Sequence, residues 1–300
     1  MNGVLIVDKP KDYTSFDVVA VARGLSKERK IGHTGTLDPM ATGVLPLLFG
    51  RAAKAADLLP DTDKEYLAGF VLGEGYDTGD ITGRLVKTDG SPVSFAGLEG
   101  ALGGFRGEIM QTPPMYSAVS VGGKRLYQLA RQGLQVERKP RPVTISVLEL
   151  VLYDQASRRG VLKVSCSKGT YIRALIEDIA GALGTVGAMT DLRRTMACGF
   201  CCEEAIDLEL LRCLGAEEIE LLLRPVDSLF EEYPQVCVSG PQSVRFKNGG
   251  ALDMGRLRMP RIAMRDGQRV RIYGPNEEFI GLGEALLSRQ ELKFLKLLGE

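Results

Sequence analysis

What the 300-residue sequence lacks already narrows its function. Lysine and arginine (38) balance aspartate and glutamate (38), which excludes a globally basic protein while leaving room for a local stripe of positive charge. No apolar stretch approaches the length of a membrane span. The first apolar run, Val4-Leu5-Ile6-Val7, stops at Asp8 and is too short for a secretory signal. No internal repeat or low-complexity tract interrupts a composition that is 44% hydrophobic and 25% charged, the balance of a soluble cytoplasmic protein. Six cysteines without an export signal are expected as free thiols. Cys198 and Cys201 form a CxxC, but a structural zinc site wants four ligands. The chain offers no second such pair and one distant histidine, so no metal is expected.

The single histidine lies in the most distinctive stretch, Gly32-His33-Thr34-Gly35-Thr36-Leu37-Asp38-Pro39-Met40-Ala41-Thr42-Gly43-Val44-Leu45-Pro46. Its glycines permit positive φ and close approach of another molecule. Pro39 holds Asp38 in an extended or turn conformation. An apolar run from Val44 to Phe49 then reads as a buried strand. By local statistics this is an ordinary turn bearing a solvated aspartate.

Around it, Gly3 to Val7 reads as a core strand, and Ser15 as the cap of a helix burying Val18, Val21, Ala22 and Leu25. A helix is expected over about 52–59, ending at Pro60. Lys64 to Leu72 alternates as a strand with Tyr66, Ala68 and Phe70 on one face. Residues 73–90, rich in glycine with Asp77 and Asp80, lack the acid spacing of a calcium loop and read as a surface hairpin. Ser94 caps a helix that buries Phe95, Leu98, Ala101, Leu102 and Phe105. Met115 to Val119, after Pro113-Pro114, reads as extended or as an edge strand.

The composition shifts between Val121 and Pro142. Lys124, Arg125, Arg131, Arg138, Lys139 and Arg141 face one acid, Glu137, a net +5 segment with Tyr127 inside it. That is the footprint of a phosphate-contacting arm. Two strands follow, Val143 to Tyr153 and Val161 to Cys166. A helix then buries Ile172, Leu175, Ile176, Ile179 and Leu183 and carries Arg173 in its first turn. A cation is mildly disfavoured there, which calls for a carboxylate partner. Asp191 to Arg194 is extended, helices follow over about 202–211 and 216–223, and the chain beyond Tyr233 becomes short strands and turns.

Several of these stretches together resemble the TruB-type tRNA pseudouridine synthases. The resemblance rests on Gly32 to Gly43, Val7-Asp8-Lys9-Pro10, Lys64-Glu65-Tyr66, Leu72-Gly73 with Asp77-Thr78-Gly79-Asp80, Pro113 to Ala118, Cys166 to Arg173, and Leu192-Arg193-Arg194. It runs in order from residue 3 to about 230. It implies an α+β fold, a mixed sheet flanked by helices, over 1–230, with a basic insertion at about 119–142. A small β-rich PUA-like RNA-binding domain over 231–300 is implied by weaker similarity. The implied reaction is isomerisation of uridine 55 in the T loop of tRNA, without cofactor or metal, by one nucleophilic carboxylate and no paired acid beside it.

By resemblance Asp38 is the nucleophile, Arg173 its partner, and Tyr66 the ring stacked on the uracil near C5. Tyr171 hydrogen-bonds at the same site and Leu192 forms an apolar wall. His33, beside Gly32, takes the space left in the RNA when the base is flipped out, and Lys9 supports the pocket indirectly. Lys124, Arg125, Arg131 and Arg138 are the expected phosphate contacts. The partner is the tRNA T arm, and a monomer acting in the cytoplasm is expected. Tyr76 and Met189 depart from the residues common in the family. A non-catalytic RNA-binding or chaperone protein on the same fold is the alternative; a sugar hydrolase would lack its second acid.

Overall fold

A computed structural model describes residues 1–257 and 264–299, with the Arg131 side chain outside the described residues. The main sheet is mixed. Its strands run in the order Ile206–Asp207, Gly3–Lys9, Thr42–Phe49, Gly187–Ala197, Lys64–Leu72, Arg159–Cys166, Arg141–Asp154 and Gly107–Gln111. The apolar runs Val4 to Val7 and Val44 to Phe49 are buried on both faces, as strands central to a sheet must be. In Lys64–Leu72, Tyr66, Ala68 and Phe70 share one buried face, as their alternation predicts.

One seam of this sheet is narrow. Gly187–Ala197 pairs antiparallel along the length of Lys64–Leu72, but it meets Thr42–Phe49 in parallel through only two pairs, Arg193↔Thr42 and Arg194↔Gly43. The glycine-rich loop enters the sheet at that seam. Gly43 has φ +106°, and a Cβ there would lie 2.1 Å from the Arg194 carbonyl oxygen, so no other residue fits without parting the two strands.

Helix Ile172–Ala182 lies against the sheet and buries Ile172, Leu175, Ile176 and Ile179 together with Leu37 and Met40 of the loop. At roughly 1.5–3 kcal/mol for each large apolar side chain taken from water, this packing anchors the helix start, and Arg173 with it. A second five-stranded sheet, in the order Gln235–Cys237, Arg269–Tyr273, Phe279–Leu286, Glu291–Leu297 and Leu252–Asp253, has its own core around Val236, Phe246 and Ile272. Its Leu282 and Leu298 join Val4, Val44 and Phe230 in a shared cluster that ties it to the main sheet.

Several local expectations shift. The N-cap of helix Ser15–Ser26 is Thr14, in a capping box with Asp17, which frees Ser15 for another task. The stretch expected as a helix over 52–59 is a single 3-10 turn, Gly50–Lys54. Ser94 does cap helix Phe95–Leu102, but Phe95 is exposed. Residues 115–119 form no strand; a short hairpin, Ser120–Val121 with Lys124–Arg125, comes next instead. The helix expected over 202–211 splits into a 3-10 turn, Cys202–Glu204, and helix Leu208–Arg212. All six cysteines are free thiols.

Candidate active site

The glycine-rich loop is pinned at nearly every step. Thr34 donates its backbone N–H to the Pro46 carbonyl (3.2 Å), and Leu37 donates its own to Ser15 Oγ (2.8 Å). The Gly35 carbonyl accepts from Arg194 Nη2 (3.1 Å), and the Asp38 carbonyl from the Ala41 N–H (3.0 Å). The Pro39 carbonyl accepts from the Asp12 N–H (2.8 Å) and from Lys9 Nζ (3.2 Å). Lys9 is fully buried, and its ammonium also donates to Pro10 O (2.8 Å) and Tyr13 O (2.6 Å). Burial pushes this group down to about 8, yet three carbonyl acceptors match its three protons. Lys9 therefore stands behind Asp38, holding its loop.

In front of the loop lies a cavity of about 530 Å³, lined by Thr34 to Pro39, Lys64, Tyr66, Tyr116 to Ala118, Tyr127, Lys168 to Arg173, Met189 and Leu192. That volume suits a small planar ligand with some chain attached. Asp38, with its side chain 38% exposed, faces the cavity, while Arg173 (6%) sits beneath it and donates Nε to Asp38 Oδ2 at 3.0 Å. Nη1 and Nη2 each donate one further bond, to the Thr78 carbonyl (2.9 Å) and the Tyr116 carbonyl (2.9 Å). The carboxylate that the position of Arg173 requires is thus present.

A second one is present as well. Asp80 is buried, and its Oδ2 lies 3.7 Å from Arg173 Nε. Its Oδ1 accepts from the Thr78 hydroxyl (3.1 Å), the Thr82 N–H (3.0 Å) and the Thr82 hydroxyl. Two expectations are refined. Residues 73–90 form the expected surface hairpin, Glu74–Tyr76 with Leu85–Thr88, exposed at Asp77, Ile81, Thr82 and Arg84, but Asp80 at its tip is buried, so that carboxylate is not solvated. Nor does Asp38 lack an acid nearby: one guanidinium stands between two carboxylates. Such an arrangement keeps a charged Asp38 at a fixed place without consuming both its oxygens.

The other candidates fall into two groups. Tyr66, Tyr171 and Leu192 line the cavity with Asp38 and Arg173. Burial pushes the Tyr66 phenol up to about 12, against the pull of the nearby Arg194, so it stays protonated at neutral pH and suits a stacking wall. Tyr171 caps its helix without a side-chain bond. Instead its backbone is gripped from both sides by Gln111, which accepts from the Tyr171 N–H (2.8 Å) and donates to its carbonyl (3.1 Å). His33 and Gly32 lie on the short strand Ile31–His33, off the cavity lining. The His33 imidazole is pushed below its ordinary value by burial and by Arg194, and its Nδ1 is buried without a partner. Gly32 packs against Ala53 with room for a methyl group.

On the basic arm, Lys124 and Arg125 are exposed on their hairpin, and Arg125 also donates to the Ala118 carbonyl. Arg138 is half-buried and donates to the Pro113 carbonyl (3.0 Å); Arg131 falls outside the described side chains. Helix Leu126–Arg131 buries Leu126 and Leu129, and Tyr127 is one of the residues lining the cavity. Among the described residues, no group of three or more His, Cys, Asp or Glu is placed to hold a metal ion.

Four residues of the site escape a reading of motifs: Asp80, Gln111, Lys64 and Arg194. Arg194 is fully buried under the loop, donating Nε to the Val44 carbonyl (2.7 Å) as well as Nη2 to Gly35. Asp80, Lys64 and Arg194 stand inside stretches that carry the resemblance without being given a role by it, and Gln111 lies two residues ahead of Pro113.

A sequence model described as TruB family pseudouridylate synthase (N terminal domain) matches residues 23–172, and one described as tRNA pseudouridylate synthase B C-terminal domain matches residues 173–231. The tRNA pseudouridine synthase B of Neisseria meningitidis serogroup B is 40% identical over 298 residues, 99% of this chain and 94% of that protein. The protein of the same name from Aromatoleum aromaticum is 44% identical over 286 residues, 95% and 89% of the two chains. A solved chain in a Cbf5-Nop10-Gar1 complex superposes with TM-score 0.75 at 26% identity, over 99% of this chain and 84% of that one.

Proposed function

The chain belongs to the TruB family of pseudouridylate synthases, and from that premise we propose that it isomerises uridine 55 in the T loop of tRNA to pseudouridine. Asp38 is the nucleophile, meeting either C1′ of the ribose or C6 of the ring. The N1–C1′ bond breaks, the uracil turns within the cavity and C5 bonds to C1′, while C5 gives up its proton and N1 gains one. No cofactor enters this balance. The observation that carries the reading is the Asp38 carboxylate at the cavity wall, 3.0 Å from a nearly buried Arg173, on a loop fastened on all sides.

Each remaining part has a task. Tyr66 stacks on the uracil, Tyr171 bonds at its edge, and Leu192 completes a water-poor wall that keeps the free base from leaving. Extruding the base costs on the order of a few kcal/mol, and His33 with Gly32 occupies the place it vacates. The His33 imidazole, pushed below its ordinary value by burial, suits stacking, and no base-catalysis role is required of it. The arm over 119–142 closes on the T arm through Lys124 and Arg125. Residues 1–230 form the catalytic unit and 231–300 a PUA-like RNA-binding unit, acting as a monomer in the cytoplasm. No helix among the described residues is long and apolar enough to cross a membrane.

Carbodiimide labelling and primer extension on tRNA treated with the protein tests this. A single stop at position 55 is expected, absent when that uridine is cytidine. No stop, or stops elsewhere, would overturn the assignment.

A further inference from the structure

Lys64 and Tyr66 are two apart on strand Lys64–Leu72, so both side chains leave the same face and both line the cavity. Lys64 is about nine-tenths buried, and its Nζ makes one hydrogen bond, to the Thr62 carbonyl at 2.6 Å. Two of its three protons are left for something else. Beneath it, Arg194 is wholly buried and its Nη1 has no hydrogen-bond acceptor. The two cations flank Gly35: Lys64 Nζ lies 3.9 Å and Arg194 Nη1 3.6 Å from the place a Gly35 Cβ would take, and Lys64 Cε only 3.1 Å from it.

Neither cation has a carboxylate within ion-pair distance among the described residues. The acids of the site, Asp38 and Asp80, are both turned to Arg173. Buried charge without a counter-ion is costly in a folded protein. Burial accordingly pushes the Lys64 ammonium below its ordinary range, Arg194 adding to the effect while Cys198, Cys166 and Asp63 oppose it. A wall of uncompensated positive charge beside a neutral tyrosine is suited to a ligand that becomes negative only as it reacts.

Taking the isomerisation above as premise, we propose that Lys64 is a catalytic residue of that reaction, its ammonium, backed by Arg194, stabilising the negative charge that develops on the uracil ring. If Asp38 takes C1′, the electron pair of the N1–C1′ bond stays with the base, leaving a uracil anion with charge spread over N1, O2 and O4. If Asp38 adds to C6, the electron pair moves toward C5 and O4. Both routes place charge on the carbonyl edge of the ring that Lys64 meets, so the assignment holds for either. When C5 bonds to C1′ the Asp38 carboxylate leaves, from C1′ in the first route or by elimination from C6 in the second; C5 releases its proton to water, N1 takes one from water, and the charge on the ring is discharged.

The test is single-turnover tritium release at saturating T-arm RNA labelled at C5 of the target uridine. Lys64→Met is expected to lower the rate constant by on the order of a hundredfold, the usual loss for one preorganised charge donor, with RNA affinity and thermal midpoint near wild type. Lys64→Arg recovers most of the rate. Lys64→Gln, which is neutral and keeps a hydrogen-bond donor one bond closer to the backbone, supplies the same comparison should the methionine variant fail to fold. The second readout is the target base. With 4-thiouridine, whose sulfur carries negative charge more readily than oxygen, the loss in the neutral variants shrinks relative to uridine. Neutral variants within about threefold of wild type overturn the proposal, as does a loss equal for the two bases or one confined to RNA affinity. A wild-type protein that releases no tritium would instead overturn the isomerase reading on which it rests.

Discussion

Asp80→Asn perturbs the charge balance of the site with little change of shape. Oδ1 of Asp80 accepts three donors, from Thr78, the Thr82 N–H and the Thr82 hydroxyl. An asparagine must keep its carbonyl oxygen there, which turns its NH2 toward Arg173 Nε, now 3.7 Å from a carboxylate oxygen. A charge attraction becomes a meeting of two donors. At an effective dielectric constant of about 20, unit charges at this separation attract by roughly 4–5 kcal/mol before desolvation is subtracted. Both side chains are mostly buried, at 8% and 6% exposure, so screening removes little of it. With about a third to a half of that felt at Asp38 through the displaced guanidinium, the barrier rises by about 1.3–2.5 kcal/mol, a loss of about ten- to seventyfold. The assay is single-turnover tritium release at saturating RNA, with RNA affinity measured beside it by filter binding. A folded Asp80→Asn protein turning over within twofold of wild type would refute the role given to this second carboxylate. A loss of affinity alone would place Asp80 in RNA binding and not in the chemistry.

Gly43→Ala forces a Cβ against the Arg194 backbone at a positive φ, and is expected to cost more than about 2 kcal/mol, read as a lower thermal midpoint; a wild-type melt would contradict the strained seam. His33 is pushed below its ordinary value, so the folded state holds that proton more weakly than the unfolded chain. Its contribution to stability is present above the unfolded value near 6.5 and is lost as pH falls from there through the folded value. Denaturant titrations from pH 7 to 5 should show a shallower decline for His33→Asn than for wild type, and equal slopes would contradict the burial described. Replacing Lys124 and Arg125 with alanine should weaken tRNA binding and flatten the plot of log affinity against log salt by about one unit for each phosphate no longer neutralised. Affinities unchanged across salt would count against the arm as the clamp.

Patterns confined to one element were legible from the residues. The alternation of Lys64–Leu72, the buried stripe of Ile172–Ala182 and the misplaced cation Arg173 each carry their own evidence, and the structure seats all three around the cavity. The Asp80 contact was hidden because glycine, aspartate and threonine in a row are what a solvated hairpin also looks like. Its burial depends on Arg173, far along the chain on another element. Lys64 and Arg194 were hidden for a similar reason: a charged residue in a strand is read as pointing to solvent. Here Arg194 lies at the parallel seam opposite Gly43, and Lys64 turns into the cavity beside Tyr66. The shift of the cap from Ser15 to Thr14 is smaller but instructive. Two adjacent hydroxyls compete for one role, and Ser15 is drawn off by the Leu37 N–H of the glycine-rich loop.

The central claim is that the Asp38 carboxylate performs the first covalent step, and one comparison addresses it most directly. Wild type and Asp38→Ala are mixed, each in excess, with T-arm RNA carrying tritium at C5 of the target uridine, and release is followed through a single turnover. Wild type is expected to release the label to completion. Asp38→Ala is expected to bind the RNA comparably, its side chain being a surface of the cavity and not a strut of the fold, and to release none above background. Release by Asp38→Ala at the wild-type rate would contradict the account.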